Sequence, residues 1–226
     1  TFTLFPMLTL FFLFSLLVYL GFWQIDRGNS KRHFQKMVNQ RASSRPIHLN
    51  QIKNIDLEKN YFPGIMHGHF DNQHTFLLEN RIYLHRIGYE VLTPFFLNNQ
   101  PKAILVNRGW IPQGMNRKQI PKISALDKPL KLEGLIVFPH KTFRFFNPIN
   151  EKGWPKKIQS IHPDFLKKNN FQPFLLVIQT KKPYSFRPLW HPILLQPARH
   201  YAYAFQWFGL SITLLIAFFS TQIRRL

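Results

Sequence analysis

Two long apolar runs bracket a stretch in which hydrophobic and polar residues interchange every few positions. The first covers residues 1–25 and contains Leu8-Thr9-Leu10-Phe11-Phe12-Leu13-Phe14-Ser15-Leu16-Leu17-Val18-Tyr19-Leu20. The second covers residues 201–223 and contains Ser211-Ile212-Thr213-Leu214-Leu215-Ile216-Ala217-Phe218-Phe219. Neither carries a charge. A helix rises about 1.5 Å per residue and a hydrocarbon layer is about 30 Å thick, so about 20 apolar residues reach across it. Both runs therefore predict transmembrane helices, at 1–25 and at 197–223. The second opens at Gln196-Pro197, because proline suits a first helical turn. A cleaved signal peptide is the other reading of the first run. It requires a charged start, a shorter apolar stretch and a small-residue cleavage site. Here the first charge is Asp26 and the first alanine is Ala42.

Between the runs the pattern changes twice. From 23 to about 41 the spacing stays helical, weakened near Gly28-Asn29, which makes 26–44 a juxtamembrane helix. Trp23, Arg27 and Lys31 fall at i, i+4 and i+8 on one face of it. Tryptophan at headgroup depth with cations reaching phosphates explains that face as a simple interfacial anchor. From 45 to 196, short runs of β-branched and aromatic residues are bounded by Pro, Gly or Asn. They predict strands at 64–70, 75–78, 88–95, 102–107, 130–138 and 174–179. Asn98-Asn99-Gln100-Pro101 predicts a turn between antiparallel neighbours, and 163–169 a short helix. The expected fold is a membrane protein, with two transmembrane α-helices flanking one extracytoplasmic β-rich α+β domain.

Charge adds an orientation. Arg224 and Arg225 follow the second run and favour a cytoplasmic C-terminus, with 224–226 as a basic tail. The N-terminus then shares that side and the central domain lies opposite. Arg27, Lys31 and Arg32 pull the other way. The chain is formally +20, and all 10 acids and all but two of the 30 Lys and Arg lie between the apolar runs. Such an excess points to nucleic acid or to anionic lipid. No zinc-finger spacing, helix-turn-helix signature or Arg-rich tail supports nucleic acid. A segment tethered at both ends to a bilayer meets headgroups constantly, which is the simpler account.

Candidate chemistry is sparse. With no cysteine, a disulfide framework and thiolate metal sites are excluded. Met7, Met37, Met66 and Met115 are scattered, unlike a thioether copper surface. His67-Gly68-His69 puts two imidazoles on one strand face with His74 nearby, but no carboxylate or thiol completes a metal set in sequence. There is no G-x-S-x-G, no H-E-x-x-H and no phosphate-binding glycine loop, and ten acids leave little for carboxylate catalysis. The expectation is a protein that is not an enzyme.

On the second membrane helix, His200, Tyr203, Ala204, Trp207, Phe208 and Ser211 fall on one stripe. An imidazole at the mouth of a membrane helix marks a candidate site, although hydrogen bonding to headgroups beside an aromatic belt explains it as well. Asn107-Arg108-Gly109-Trp110 reads as a strand end, where Gly109 permits a tight turn and Pro112 ends pairing. Its two readings are an anchor for Trp110 in the core and a rim facing the membrane or a partner.

Three stretches together resemble the surfeit-locus family of cytochrome c oxidase assembly factors. Gly21-Phe22-Trp23-Gln24-Ile25-Asp26-Arg27, with Lys31, matches its G-x-W-Q-x-x-R-x-x-x-K pattern. Gly88-Tyr89-Glu90-Val91-Leu92-Thr93-Pro94-Phe95 is followed by Leu105-Val106-Asn107-Arg108-Gly109-Trp110. His200-Tyr201-Ala202-Tyr203-Ala204-Phe205-Gln206-Trp207-Phe208 matches H-x-x-Y-A-x-x-W-F. The chain departs in having Ala198-Arg199 where the family often has two Asn, and the segment 151–192, with Trp154 and Trp190, has no clear counterpart.

The resemblance implies a non-enzymatic chaperone of respiratory-chain biogenesis in a bacterial or mitochondrial inner membrane. It would bind haem a transiently, or pass it to the catalytic subunit of haem-copper oxidase, beside other assembly factors and lipid and without nucleic acid. In that role His200 would be the iron ligand and Arg27 and Lys31 the propionate partners. Tyr203, Trp207 and Phe208 would line the slot and Trp23 would close it. Gln24, Asn107, Arg108, Gly109 and Trp110 would be partner-facing or structural. The alternative is a scaffold that holds an oxidase subunit without touching haem.

Overall fold

In the computed structural model a single helix, α1, runs unbroken from Leu4 to Ala42. The structure describes residues 4–52, 54–98, 100–114, 121, 123–126, 128–140, 153–179, 182–189 and 196–223. Asn99 of the predicted turn, Trp190, Arg224 and Arg225 lie outside them. At 39 residues, α1 is about 58 Å long. The expected weakening near Gly28-Asn29 does not occur. Gly28 is buried against a neighbouring helix, so tertiary packing outweighs its poor helix propensity of about 1 kcal/mol. A second long helix, here α3, spans Pro197–Ile223, and both are long and apolar enough to cross a membrane.

The chain divides into two compact units, residues 1–39 with 191–226 and residues 40–190. The first is the helix pair. α1 buries Gly21 and Gly28, and α3 buries Pro197, His200, Ala204 and Ser211. Positions 21 and 28, and positions 197, 204 and 211, recur every seven residues, the repeat of two helices that cross at a shallow angle. Small residues at such a seam let two helix backbones approach closely, as they do in pairs that cross a bilayer. Hydroxyls on α3 are returned to the helix itself: Ser211 donates to the Phe208 carbonyl and Thr213 to that of Gly209, the usual solution in hydrocarbon.

The second unit is a small barrel. β2 (Pro63–Phe70) pairs antiparallel with β6 (Leu130–Val137), and β6 antiparallel with β8 (Phe171–Val177). β8 runs parallel to β5 (Ala103–Pro112), which is antiparallel to β4 (Arg86–Leu97). The end of β4 then returns to the end of β2, from Gly68↔Leu97 to Phe70↔Phe95, and closes the ring. β3 (Phe76–Tyr83) forms a hairpin with β4, β7 (Lys156–Ile158) adds to β3, and β1 (Ile47–His48) adds to β2. The six predicted strands are present, with shifted ends. β1 and β7 are only two and three residues long, too short for any periodicity to show. The short helix α2 (Pro163–Lys168) also lies where expected, begun by its proline.

Two apolar layers explain why β4 and β5 are buried almost throughout rather than alternately. Met66, Phe70, Phe95, Ile104, Val106, Leu132, Ile136, Phe174 and Leu176 fill the barrel interior. Leu78, Leu92, Leu105 and Leu175 point the other way, under Leu166 of α2, Ile158 of β7 and Phe76. At the tip of the β3–β4 hairpin, Leu84 and His85 both have positive φ, 45° and 60°. For residues with a Cβ each such conformation costs about 1–2 kcal/mol.

Candidate functional site

His200 opens α3 and its ring is buried, with 9% of the residue exposed. Nδ1 lies 2.8 Å from Oε1 of Gln24 on α1. An amide oxygen only accepts, so Nδ1 carries the proton and donates to Gln24. Nε2 is buried, and among the described residues it has no hydrogen-bond partner. A histidine whose Nδ1–H is held by an acceptor is oriented as metal-ligating histidines are, with Nε2 toward the metal. The next residue, Tyr201, donates to Asn29 Oδ1 at 2.9 Å.

Two contacts hold these hydrogen bonds in place. A Cβ on Gly21 would sit 2.5 Å from the Phe208 ring, and one on Gly28 would sit 2.7 Å from that of Tyr201. Phe208 is also edge-on to Phe22, with ring centroids 5.3 Å apart. The aromatic ring over glycine, twice, sets the depth of the seam. Gln24 lies between the two glycines in sequence, which brings its amide to His200.

The predicted site residues separate into two groups. His200, Gln24 and Phe208 come together at the seam, and Trp207 is half-buried. Trp23 and Tyr203 do not: they are 45% and 46% exposed and point outward from the pair. On the face that Trp23, Arg27 and Lys31 share, Arg27 is exposed like Trp23 and Lys31 is half-buried. Gly21, Gly28, Tyr201 and Asn29 were missed as seam residues. Their signal was the seven-residue interval between the glycines, which only acquires meaning once an opposing helix is known.

Asn107-Arg108-Gly109-Trp110 is not a strand end. β5 continues to Pro112, and the register with β4 slips between Glu90↔Trp110 and Leu92↔Asn107, so the motif is a bulge inside a strand. Gly109 takes φ +105°, and a Cβ there would meet the Arg187 carbonyl at 2.6 Å; only glycine fits both demands. Asn107 Oδ1 accepts the Gly109 N–H at 2.9 Å. Trp110 is anchored in the domain, its Nε1 donating to the Arg81 carbonyl at 2.9 Å.

Arg108 is 2% exposed. Its Nε donates to the Tyr184 carbonyl at 3.0 Å, and its guanidinium lies between the rings of Phe70 and Phe186 at 4.9 and 5.0 Å. Carbonyl oxygens and π-faces take the place of a counter-ion. Burial nevertheless lowers its pKa to about 10. The Phe186 N–H donates to the Arg108 carbonyl, and Trp110 and Arg187 form a bridge. The motif thus clasps the segment 184–187 against the barrel. Nearby, burial raises the pKa of Glu90, opposed by Arg81 and by a hydrogen bond to Asn107.

His67 and His69 lie exposed on β2. Asn50 holds the His67 backbone, the His69 ring stacks on Phe96, and His74 pairs with Asp71 at 2.6 Å. Among the described residues no three His, Asp or Glu side chains converge as metal ligands would.

Known proteins are similar to this chain in sequence along much of its length. The sequence profile of the SURF1 family matches residues 11–212. A SURF1-like protein of Rickettsia bellii (strain RML369-C) is 28% identical over 234 residues, covering 93% of this chain and 88% of that protein. Another, from Rickettsia felis (strain ATCC VR-1525 / URRWXCal2), is 26% identical over 222 residues, or 91% of each. Surfeit locus protein 1 of Gallus gallus is 26% identical over 152 residues, 60% of this chain and 49% of that protein. The profile takes in the seam glycines, the barrel with its Arg108 clasp, and His200, and the chain belongs to the SURF1 family.

Proposed function

We propose that this protein is a membrane-anchored, non-enzymatic assembly factor for haem-copper cytochrome c oxidase. α1 and α3 cross an inner membrane, bacterial or mitochondrial, with both termini on the cytoplasmic or matrix side and the barrel on the other. Its cargo is haem a, accepted transiently and released to the catalytic subunit. The observation that carries this reading is the buried Nε2 of His200, which has no hydrogen-bond partner among the described residues, on a ring oriented by Gln24. A free nitrogen lone pair between two apolar helices costs desolvation unless something binds it. Haem iron is a group that such a nitrogen takes as an axial partner.

Within this reading His200 ligates, Gln24 orients the imidazole, and Trp207 and Phe208 supply flat apolar contact. Arg27 and Lys31 offer charge-assisted hydrogen bonds to propionates. Phe208 over Gly21 and Tyr201 over Gly28 fill the seam, so haem entry requires those rings to swing aside. The same filled seam favours a second reading, a scaffold that grips an oxidase subunit without haem.

The test is purification of the full chain from a haem-a-making host. The expected result is a Soret band that His200→Ala lowers about tenfold, with partner co-purification retained. Equal haem in variant and parent removes the ligand role. Retained oxidase subunits with no haem in either protein establish the scaffold. Normal oxidase spectra in a strain lacking the gene would overturn both.

A further inference from the structure

Six large apolar side chains are strongly exposed among the described residues of the barrel unit, and three of them sit at one hairpin tip. Ile82, Leu84 and Ile87 are 65%, 72% and 56% exposed. Ile82 and Ile87 are cross-strand partners, and Tyr83 pairs with Arg86 on either side of Leu84-His85. A two-residue hairpin turn with positive φ at both positions normally carries Asn-Gly. Here a leucine, 72% exposed, is held in that conformation at the hairpin tip, which is a poor choice for folding alone.

The charge around the tip has one sign. Arg81 is paired with Glu90 at 3.3 Å, which among the described residues leaves Arg86 as the unpaired charge of residues 80–89, a stretch with no acid. The flanking acids Glu79 and Glu90 are buried, and Arg187 lies over the Tyr83 ring at 4.5 Å. An aliphatic apex inside a cationic collar matches the boundary between acyl chains and anionic headgroups. We propose that the β3–β4 tip is a third membrane contact of this protein. Ile82, Leu84 and Ile87 enter the interface of an anionic bilayer, with Arg86 and Arg187 on lipid phosphates. This rests on the anchoring of α1 and α3 proposed above, which keeps the barrel within reach of the surface.

The chain has no cysteine, so Leu84→Cys creates a unique site for a nitroxide label, with Ile87→Cys as a second probe and Lys131→Cys as an exposed control. The full chain is placed in phosphatidylcholine nanodiscs with and without phosphatidylglycerol. Collision of the label with oxygen and with a water-soluble nickel chelate is then compared. Phosphatidylglycerol should raise the oxygen-to-nickel ratio at 84 and 87 several-fold and leave 131 unchanged. Arg86→Glu should reverse the rise. Labels at 84 and 87 as nickel-accessible as 131 in both lipids would overturn the proposal while leaving the anchoring intact. So would shielding that appears only when solubilised oxidase subunits are added, which would assign the tip to a protein. A chain that fails to enter nanodiscs overturns the anchoring and this contact with it.

Discussion

The helix pair and the barrel use opposite packing rules. Apart from His200, the buried positions at the seam are Gly21, Gly28, Pro197, Ala204 and Ser211, residues chosen for how little they fill. In the barrel interior they are Met66, Phe70, Phe95, Leu132 and Phe174, chosen for how much. Water drives large apolar groups together around a barrel core, about 25 cal/mol for each Å² buried. In a bilayer, which these two helices are long and apolar enough to cross, that drive would be absent, and close backbone approach with a few hydrogen bonds would replace it. The lesson concerns polar groups. In the barrel, Arg108 is enclosed by carbonyls and rings, whereas at the seam one nitrogen of His200 is left open. An open donor or acceptor in the less forgiving environment marks function more strongly than the same group in a core.

That contrast can be broken from either side. Phe95→Ala should cost the barrel about 3–5 kcal/mol, because the cavity lies in a closed ring that cannot collapse. Urea unfolding of the full chain, followed by tryptophan fluorescence, measures it; a loss under 1 kcal/mol would mean the interior is loosely packed. The opposite kind of change should hurt the seam. Gly28→Leu puts side-chain atoms where the Tyr201 ring lies, an overpacking cost of about 1–3 kcal/mol. Leu10 and Leu215 line one apolar cavity, so Leu10→Cys with Leu215→Cys reports pairing through a short bismaleimide cross-link. The yield should fall several-fold with Gly28→Leu, and an unchanged yield would contradict a tight seam.

The smallest effect is a pH dependence. Burial raises the pKa of Glu90 above the ordinary carboxyl value of 4.5, so its ionised form is disfavoured in the folded state. The penalty is absent below the unfolded pKa and develops as pH rises through the folded one. Glu90→Gln should therefore gain stability relative to the parent on going from pH 4.5 to 7. A stability difference that is flat with pH, or that runs the other way, would show that Arg81 and Asn107 outweigh the burial.

Much of the architecture was legible because hydrophobic pattern and helix length are local properties. The two apolar runs, six strand positions and the short helix at Pro163 all follow from residues near one another in the chain. The weakening expected near Gly28-Asn29 does not occur, because local propensity was weighed without the neighbour that packs on Gly28. The Asn107–Trp110 element was assigned to a turn for a similar reason: a glycine at φ +105° serves a bulge as well as a turn, and only the β4 register distinguishes them. Residues 184–187, which make Arg108 intelligible, lie more than 70 positions further on.

By itself, then, the sequence determined the apolar helices, the β-rich middle, the absence of thiol chemistry and the identity of His200 as a residue out of place. Tertiary structure alone decided that Gln24 fixes the imidazole, that Trp23 and Tyr203 face outward, and that β2 meets β4 to close the sheet. Each of these depends on which distant segment arrives opposite, and pairing across the chain is set by the summed packing of many side chains rather than by the residues at either end of one contact.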